Sequence, residues 1–167
     1  MLEEGKQAQT IPAAVYPPIE QGHVATWMSL DRQSSTWDMN HGPSNRVLVV
    51  DDNPAVRRLT ATILKSRGYR VIEAASGDEG LERFAEHHGA FELILADVIM
   101  PNMTGTEMIR RILAVDPSVP VMLMTGCTLD TTVPEAVPVL SKPFTPGALL
   151  KALDACLYCH RGALTAV

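Results

Sequence analysis

From residue 46 onward, short apolar runs alternate with segments in which apolar residues recur every three or four positions. The short runs predict strands at residues 46–50, 69–73, 91–96, 119–124 and 139–140. The spaced segments predict helices after Asn53-Pro54, after Ser76, from Glu107 to Val115 and from about Pro146 to Cys159. Their inward stripes are expected to be Val56, Leu59 and Ile63, then Leu81, Phe84 and Ala85, then Ile109, Ile112 and Leu113.

Strands that alternate with helices predict a parallel sheet, because right-handed crossovers place the helices on its faces. Five strands favour the doubly wound α/β order 2-1-3-4-5. The third strand is apolar except for Glu92, so we expect it at the centre of the sheet. Residues 130–136, which precede the last strand, include Pro134 and can hold only about two helical turns. The fourth helix is therefore expected to be shortened.

The first 45 residues differ in character from the rest of the chain. They contain four prolines, many Gln, Ser and Thr residues and no sustained apolar period, which predicts a disordered arm over residues 1–45. Both tryptophans, Trp27 and Trp37, lie in this arm, so a short motif that docks on a partner or on the chain's own domain is the alternative. The globular domain is expected to cover residues 46–160, followed by a tail at 161–167.

Composition and charge limit the possible functions. Hydrophobic residues make up 46% of the chain, enough for one buried core, and the net charge of −5 argues against a nucleic-acid-binding surface. No apolar run approaches the ~18 residues of a membrane span, and the N-terminus lacks a signal-peptide pattern. We therefore expect a cytoplasmic protein with neither membrane nor nucleic-acid partners.

Polar residues follow four of the predicted strands. Asp51 and Asp52 come after the first, Asp97 after the third, Thr125 after the fourth and Lys142 after the fifth. The carboxyl ends of parallel strands meet at one edge of the sheet, so these side chains are expected to converge. Carboxylates about 4 Å apart repel by roughly 4 kcal/mol at an effective dielectric near 20, so the cluster needs positive charge. Lys142 supplies one such charge, and Mg²⁺ would supply the other.

Such a set of groups suits phosphoryl transfer, in which catalysis consists mainly of positioning and charge neutralisation. An aspartate can act as the nucleophile and form an acyl phosphate. The cation would bridge the aspartates and one phosphoryl oxygen, while Lys142 would pair with a second oxygen. The hydroxyl of Thr125 would donate a hydrogen bond to a third.

The motifs at these strand ends resemble the signatures of response-regulator receiver domains. They are Val49-Val50-Asp51-Asp52-Asn53, Asp97-Val98-Ile99-Met100-Pro101, Thr125-Gly126 and Lys142-Pro143-Phe144. The resemblance covers residues 46 to about 160 and implies a flavodoxin-like (βα)5 fold. It also implies Mg²⁺-dependent phosphorylation by a histidine kinase or a histidine phosphotransfer protein.

The resemblance assigns a role to each residue of the cluster. It implies that Asp97 is the phosphoacceptor and that Asp51, Asp52 and Asp97 bind Mg²⁺ together with the backbone carbonyl of Ile99. It further implies that Lys142 contacts the phosphoryl group, that the bond from Lys142 to Pro143 is cis, and that Thr125 acts as the switch.

Two features depart from the family's pattern. Val139 stands three residues before the lysine, where an aromatic residue is usual, and the segment before it is short. Both features resemble receivers of hybrid histidine kinases and some stand-alone receivers. They weaken the case for dimerisation through the fourth helix, so we expect a monomer or weak dimer. Ile99 and Cys127 would flank the pocket, and an apolar Ile99 is expected to exclude water and prolong the acyl phosphate.

We expect a stand-alone signalling module that catalyses only its own phosphorylation and dephosphorylation and acts on an unknown downstream protein. About 25 residues follow Lys142, too few for a DNA-binding domain. The alternative within the family is a phosphate sink or relay intermediate of a hybrid kinase system. A flavodoxin-like small-molecule binder would not place Asp51 and Asp52 against a phosphate, and a haloacid-type phosphatase would carry a second aspartate where Ile99 stands.

One further motif admits two interpretations. Cys156-Leu157-Tyr158-Cys159-His160 matches the attachment pattern of c-type haem. However, Leu149, Leu153, Cys156 and His160 also form one helical stripe, which predicts a core position for Cys156.

Overall fold

The protein folds into a five-stranded parallel sheet with helices on both faces. The structure, a computed structural model, describes residues 45–126 and 137–164, with side chains to residue 160. The strands are β1 (Arg46–Val50), β2 (Arg70–Ala74), β3 (Leu93–Asp97), β4 (Val121–Thr125) and β5 (Val139–Ser141). The described helices are α1 (Pro54–Ser66), α2 (Gly77–Glu86), α3 (Gly105–Val115) and α4 (Pro146–Leu164).

The strand order is β2-β1-β3-β4-β5, as predicted, and every pairing is parallel. Helices α1 and α4 contact each other, and so do α2 and α3, which is the arrangement expected when crossovers cover both faces of the sheet. All five residues of β3 and all five of β4 are buried. The central position predicted for the third strand is therefore confirmed.

Capping side chains fix where the first three helices begin. The side chain of Asn53 accepts hydrogen bonds from the amides of Ala55 and Val56, and Pro54 opens α1. Ser76 accepts from the amide of Glu79 at the start of α2, and Thr104 accepts from an amide in the first turn of α3. Asn53 and Ser76 each follow a strand by two or three residues, so these caps set the direction in which the chain leaves the carboxyl edge of the sheet.

Parts of the predicted stripes were wrong. In α1 the buried residues are Thr60, Ala61, Ile63 and Leu64, whereas Leu59 is 51% exposed. Leu59 lies one residue before Thr60, about 100° away around the helix, so it turns off the core face. In α2 the buried positions are Gly77, Gly80 and Phe84, and Ala85 is exposed for the same reason. Apolar spacing alone could not distinguish these neighbouring phases.

Several element boundaries also differ from the predicted ones. Strand β3 begins at Leu93 and β4 at Val121, each two residues later than predicted. Helix α4 continues to Leu164, beyond the predicted end near Cys159. The shortened fourth helix and the N-terminal arm fall in residues 127–136 and 1–44, outside the described part of the chain, and stay predictions. Among the described helices, none has the length and apolar character needed to cross a bilayer.

Candidate functional site

Three aspartates meet at the carboxyl edge of the sheet. Asp97 is the last residue of β3, and Asp51 and Asp52 directly follow β1, the neighbouring strand. One carboxylate oxygen from each lies within 4.8 Å of the others. Asp51 and Asp97 are buried and Asp52 is exposed, so the cluster opens to solvent on one side. The predicted convergence of these three side chains is confirmed.

Lys142 brings a positive charge into this cluster. Its Nζ lies 2.7 Å from Oδ2 of Asp51 and 3.0 Å from Oδ2 of Asp97. The backbone holds it there, because the Lys142 amide donates a hydrogen bond of 2.6 Å to the Thr125 carbonyl just past the pairing of β4 with β5. The peptide bond between Lys142 and Pro143 is cis, as the family resemblance implied.

Burial and charge act in opposite directions on Asp97. Burial, the largest effect, raises the pKa of Asp97 above its usual value. A hydrogen bond from Lys142 and the charge of Lys142 lower the pKa, the charge of Asp51 raises it, and a hydrogen bond from the Ile99 amide lowers it. Because the pKa of Asp97 is raised overall, Lys142 does not fully offset the effect of burial on this carboxylate. A further cation at the cluster would favour its ionised form.

Asp51 is fully buried and is held by several partners. The amide of Asn53 donates a hydrogen bond of 2.9 Å to its Oδ1, while Lys142 occupies Oδ2. Arg57, which the sequence analysis did not single out, donates from Nη1 to the backbone oxygen of Asp51 at 2.6 Å. Arg57 lies one helical turn after Asn53, so a basic residue in the first turn after the aspartate pair was the only signal available.

Gly105 is a second residue of the site that sequence reasoning missed. A β-carbon at this position would lie 2.0 Å from the backbone oxygen of Asp97. The Gly105 amide also donates a hydrogen bond of 3.1 Å to the carbonyl of Val98. The start of α3 therefore rests directly on the peptide that carries Asp97, and only a residue without a side chain fits there.

The remaining predicted site residues take different positions. Thr125 is buried at the end of β4, and Val139 is half-buried at the start of β5. Ile99 is 57% exposed beside the cluster, where its amide reaches Asp97. Cys127 lies outside the described residues.

The cysteine motif near the C-terminus lies away from the aspartate cluster. Leu149, Leu153, Cys156 and His160 are all buried, which confirms the predicted stripe. The thiol of Cys156 contacts the carbonyl of Val121 at 3.7 Å, and burial raises the pKa of this thiol to about 12. Cys156 therefore behaves as a core residue of α4.

A family model described as the response regulator receiver domain matches residues 47–154. The chain belongs to the response regulator receiver domain family. Receiver domains are signalling domains of two-component systems, and they bind Mg²⁺ at an acidic cluster of the kind formed here by Asp51, Asp52 and Asp97.

Individual relatives agree with this family. The receiver protein CpdR of Brucella abortus is 36% identical over 104 residues, which cover 59% of this chain and 85% of CpdR. The chemotaxis protein CheY of Thermotoga maritima is 30% identical over 115 residues, 65% of this chain and 94% of CheY. Larger relatives match over a smaller share: the chain spans 18% of the transcription factor SKN7 of Chaetomium thermophilum, at 32% identity.

The fold of this chain is similar to those of solved receiver structures. The receiver domain from the hybrid histidine kinase CckA superposes with a TM-score of 0.59 at 35% identity, covering 67% of this chain and 98% of that domain. The chemotaxis protein CheY4 of Vibrio cholerae gives a TM-score of 0.61 at 33% identity, covering 66% of this chain and 97% of that protein. The flavodoxin-like receiver fold predicted from the sequence is thus confirmed.

Proposed function

We propose that this receiver domain accepts a phosphoryl group on Asp97 from a histidine kinase or a histidine phosphotransfer protein. One observation carries the proposal: Nζ of Lys142 lies 2.7 Å from Asp51 and 3.0 Å from Asp97, inside a cluster of three carboxylates. A cation thus lies beside Asp97, the proposed nucleophile, and the two other carboxylates are available to a metal. The transfer of a phosphoryl group, which carries three anionic oxygens, needs both the cation and the metal.

Asp97 is the nucleophile in this proposal. One of its carboxylate oxygens attacks the phosphorus of a phosphohistidine, and the O–P bond forms as the N–P bond breaks. The imidazole leaves with the bonding electron pair, and an acyl phosphate remains on Asp97. Lys142, whose Nζ lies 3.0 Å from Oδ2 of Asp97, then exchanges part of this contact for one with a phosphoryl oxygen.

The residues around Asp97 fit a Mg²⁺ ion. Asp51, Asp52 and Asp97 offer carboxylate oxygens within 4.8 Å of one another, and oxygen donors are what a hard divalent cation prefers. The backbone carbonyl of Ile99 is the proposed fourth protein ligand. Bound Mg²⁺ would neutralise charge on the transferring phosphoryl group, while Asn53 and Lys142 keep the Asp51 carboxylate oriented.

Thr125 is the proposed switch residue. It lies at the end of β4, and its backbone carbonyl accepts the hydrogen bond from the Lys142 amide. A phosphoryl group on Asp97 would draw the hydroxyl of Thr125 toward the pocket and shift the adjoining end of β5. Val139 stands where an aromatic residue is usual. We therefore propose that the backbone of β5, and not an aromatic side chain, transmits this shift.

The output of the domain is proposed to be protein binding. Ile99 and Leu59 are large apolar side chains exposed on the structure, and Ile99 lies directly beside the cluster. A kinase or phosphotransfer protein must reach Asp97 from that side. Similarity over most of CpdR supports a stand-alone regulator, and similarity to the receiver of the hybrid kinase CckA supports the alternative of a relay intermediate or phosphate sink.

Intact-mass measurement tests the central claim. The full chain is incubated with Mg²⁺ and acetyl phosphate, and one phosphoryl group should be added. Asp97→Asn should add none, whereas Asp78→Asn, which alters an exposed aspartate of α2, should behave like the wild type. Wild-type protein that binds Mg²⁺ and gains no mass, or an Asp97→Asn variant that gains as much, would contradict the assignment.

A further inference from the structure

A groove lies between the ends of α2 and α3, on the face of the sheet that these helices cover. Its volume is about 540 Å³, and it lies where both helices finish. In a parallel α/β fold the helices end at the edge opposite the carboxyl ends of the strands, so the groove is remote from Asp97. Its lining comprises Leu81, Phe84, Ala85, His88, Gly89, Arg111, Ile112, Val115 and Asp116.

The groove has an aromatic and aliphatic floor. Phe84 and Ile112 are buried beneath it, and the ring of Phe84 stacks on Phe91 with centroids 6.2 Å apart. Val115 stands on the rim with 78% of its surface exposed. Exposed apolar groups around an apolar concavity are typical of a binding surface. An indole ring placed here would extend the aromatic pair.

The chain enters the domain beside this groove. Nη1 of Arg46, at the start of β1, donates a hydrogen bond of 3.2 Å to the carbonyl of Ala90. The backbone oxygen of Arg46 accepts a hydrogen bond of 2.8 Å from the amide of Glu92. Ala90 follows Gly89, which lines the groove. The described chain begins at Asn45, and Arg46 therefore lies within a few residues of the groove wall.

The preceding segment carries a side chain that suits the groove. Trp37 lies nine residues before Arg46, and an extended chain of that length reaches up to about 30 Å. Asp38 follows it, and Met39 comes next. Arg111 on the groove rim is a cation that Asp38 could reach, although its Nε already bonds Glu107 at 2.8 Å.

We propose that residues 37–39 of the chain's own N-terminal arm occupy this groove, with the indole of Trp37 over Phe84 and Asp38 beside Arg111. The occupant is intramolecular because the tether is short and joins the domain next to Arg46, near the groove wall, which gives an effective concentration on the order of mM. Trp27 is held by a longer tether and is disfavoured for the same reason. The proposal is independent of the phosphoacceptor assignment, since the groove and Asp97 lie at opposite edges of the sheet.

Tryptophan fluorescence tests the proposal, because both tryptophans of the chain precede the globular domain. The full-length Trp27→Phe variant leaves Trp37 as the only indole. Its emission should be blue-shifted relative to the same protein in denaturant, and the shift should persist at every protein concentration. Adding Val115→Glu should move the emission to longer wavelength and raise the acrylamide quenching constant at least about twofold, because an indole that leaves an apolar groove becomes open to collisions.

Matched variants keep the test decisive. Ala85→Glu changes the opposite wall of the groove at an exposed helical position and should have the same effect as Val115→Glu. Leu59→Glu introduces the same charge at an exposed apolar residue of α1 and should leave the emission of Trp37 unchanged. Circular dichroism verifies that all three remain folded.

Three results would overturn the proposal. The first is a Trp37 emission equal to that in denaturant. The second is that the Trp37→Phe protein, whose only indole is Trp27, shows the same change in emission when Val115→Glu is added. The third is a blue shift that disappears on dilution, which would place Trp37 on a second copy of the chain.

Discussion

Gly105 at the start of α3 lies against the backbone carbonyl of Asp97, so closely that a β-carbon would come 2.0 Å from that oxygen. The contact is with backbone, which cannot swing away as a flexible side chain does. Gly105→Ala should therefore displace α3 or the Asp97 peptide and destabilise the domain by about 1–3 kcal/mol, the range for an overpacked interior. Urea unfolding followed by circular dichroism measures this change.

Gly147→Ala is the matched control for that substitution. Gly147 lies in the first turn of α4, and a β-carbon there would meet nothing within 4 Å. This variant should be as stable as the wild type or slightly more stable, because alanine favours the helix. Equal stability of both alanine variants would show that the contact at Gly105 does not constrain the site.

Asp97→Asn should stabilise the metal-free domain at neutral pH. Burial raises the pKa of Asp97, so the stability linked to this group is present below its unfolded pKa and is lost as pH rises through the folded pKa. At pH 7 the ionised, buried carboxylate is a cost that asparagine removes, and a small gain is expected because Lys142 keeps Asp51 as its partner. Thermal unfolding in EDTA measures it.

Two comparisons make the Asp97 prediction specific. Adding Mg²⁺ should raise the stability of the wild type and should raise that of Asp97→Asn less, because binding to the folded state stabilises it. Asp78→Asn, which alters an exposed carboxylate in the first turn of α2, should not gain stability, because a negative charge is favourable at a helix N-terminus. An Asp97→Asn variant that is less stable than the wild type in EDTA would refute the argument.

Ile99→Asn should shorten the lifetime of the phosphorylated domain. The exposed side chain of Ile99 stands beside Asp97 and can hinder water that approaches the acyl phosphate. An amide at the same position can instead hydrogen-bond water near the phosphorus. The rate of phosphate loss, followed by intact mass after removal of acetyl phosphate, should rise several-fold. A rate no faster than the wild-type rate would contradict this role.

His160 should make the domain sensitive to acid. Burial on α4 is the main influence and lowers the pKa of His160, although a backbone hydrogen bond at Ser118 and the charge of Asp116 act against it. The unfolded chain therefore binds a proton more readily, so this contribution to stability is present above the unfolded pKa of about 6.5 and is lost as pH falls toward the folded pKa.

Denaturant unfolding between pH 7.5 and pH 5.5 measures that effect, over a window set by the reference pKa near 6.5. Wild-type stability should fall more steeply with acid than that of His160→Gln, in which glutamine cannot gain the proton. The remaining histidines are common to both proteins, so they cancel in the comparison. Identical slopes would show that His160 does not contribute.

The site was more predictable from the sequence than some details of the fold. Asp51, Asp97 and Lys142 each end or follow a strand, and a parallel sheet brings such positions to one edge whatever the exact strand limits are. The phase of α1 was less certain, because Leu59 and Thr60 both lie within an apolar pattern and only packing decides which one is buried. Predictions of which residues meet at strand ends tolerate an error of one or two residues in the strand limits, whereas predictions of helix faces do not.

Two contacts with backbone carbonyl groups escaped prediction. The hydrogen bond from Arg57 to the Asp51 carbonyl and the approach of Gly105 to Asp97 depend on how two loops lie across the sheet edge. Neither leaves a pattern of residue types in the sequence, since one partner in each pair is a peptide group. Such contacts become visible only once the path of the backbone is known.

Strand β5 has only three residues, ends one residue before Lys142 and, among the described strands, pairs only with β4. Such an edge opens locally at lower free energy than the buried centre of a sheet. Each opening would move the ammonium group of Lys142 away from the carboxylates, which stay in place at the ends of β1 and β3. The positive charge of the site therefore lies beside a strand that opens readily, whereas the negative charges lie on or beside the stable strands β1 and β3. An anionic group bound between them would stabilise the pairing of β5 with β4 and slow amide hydrogen exchange in β5.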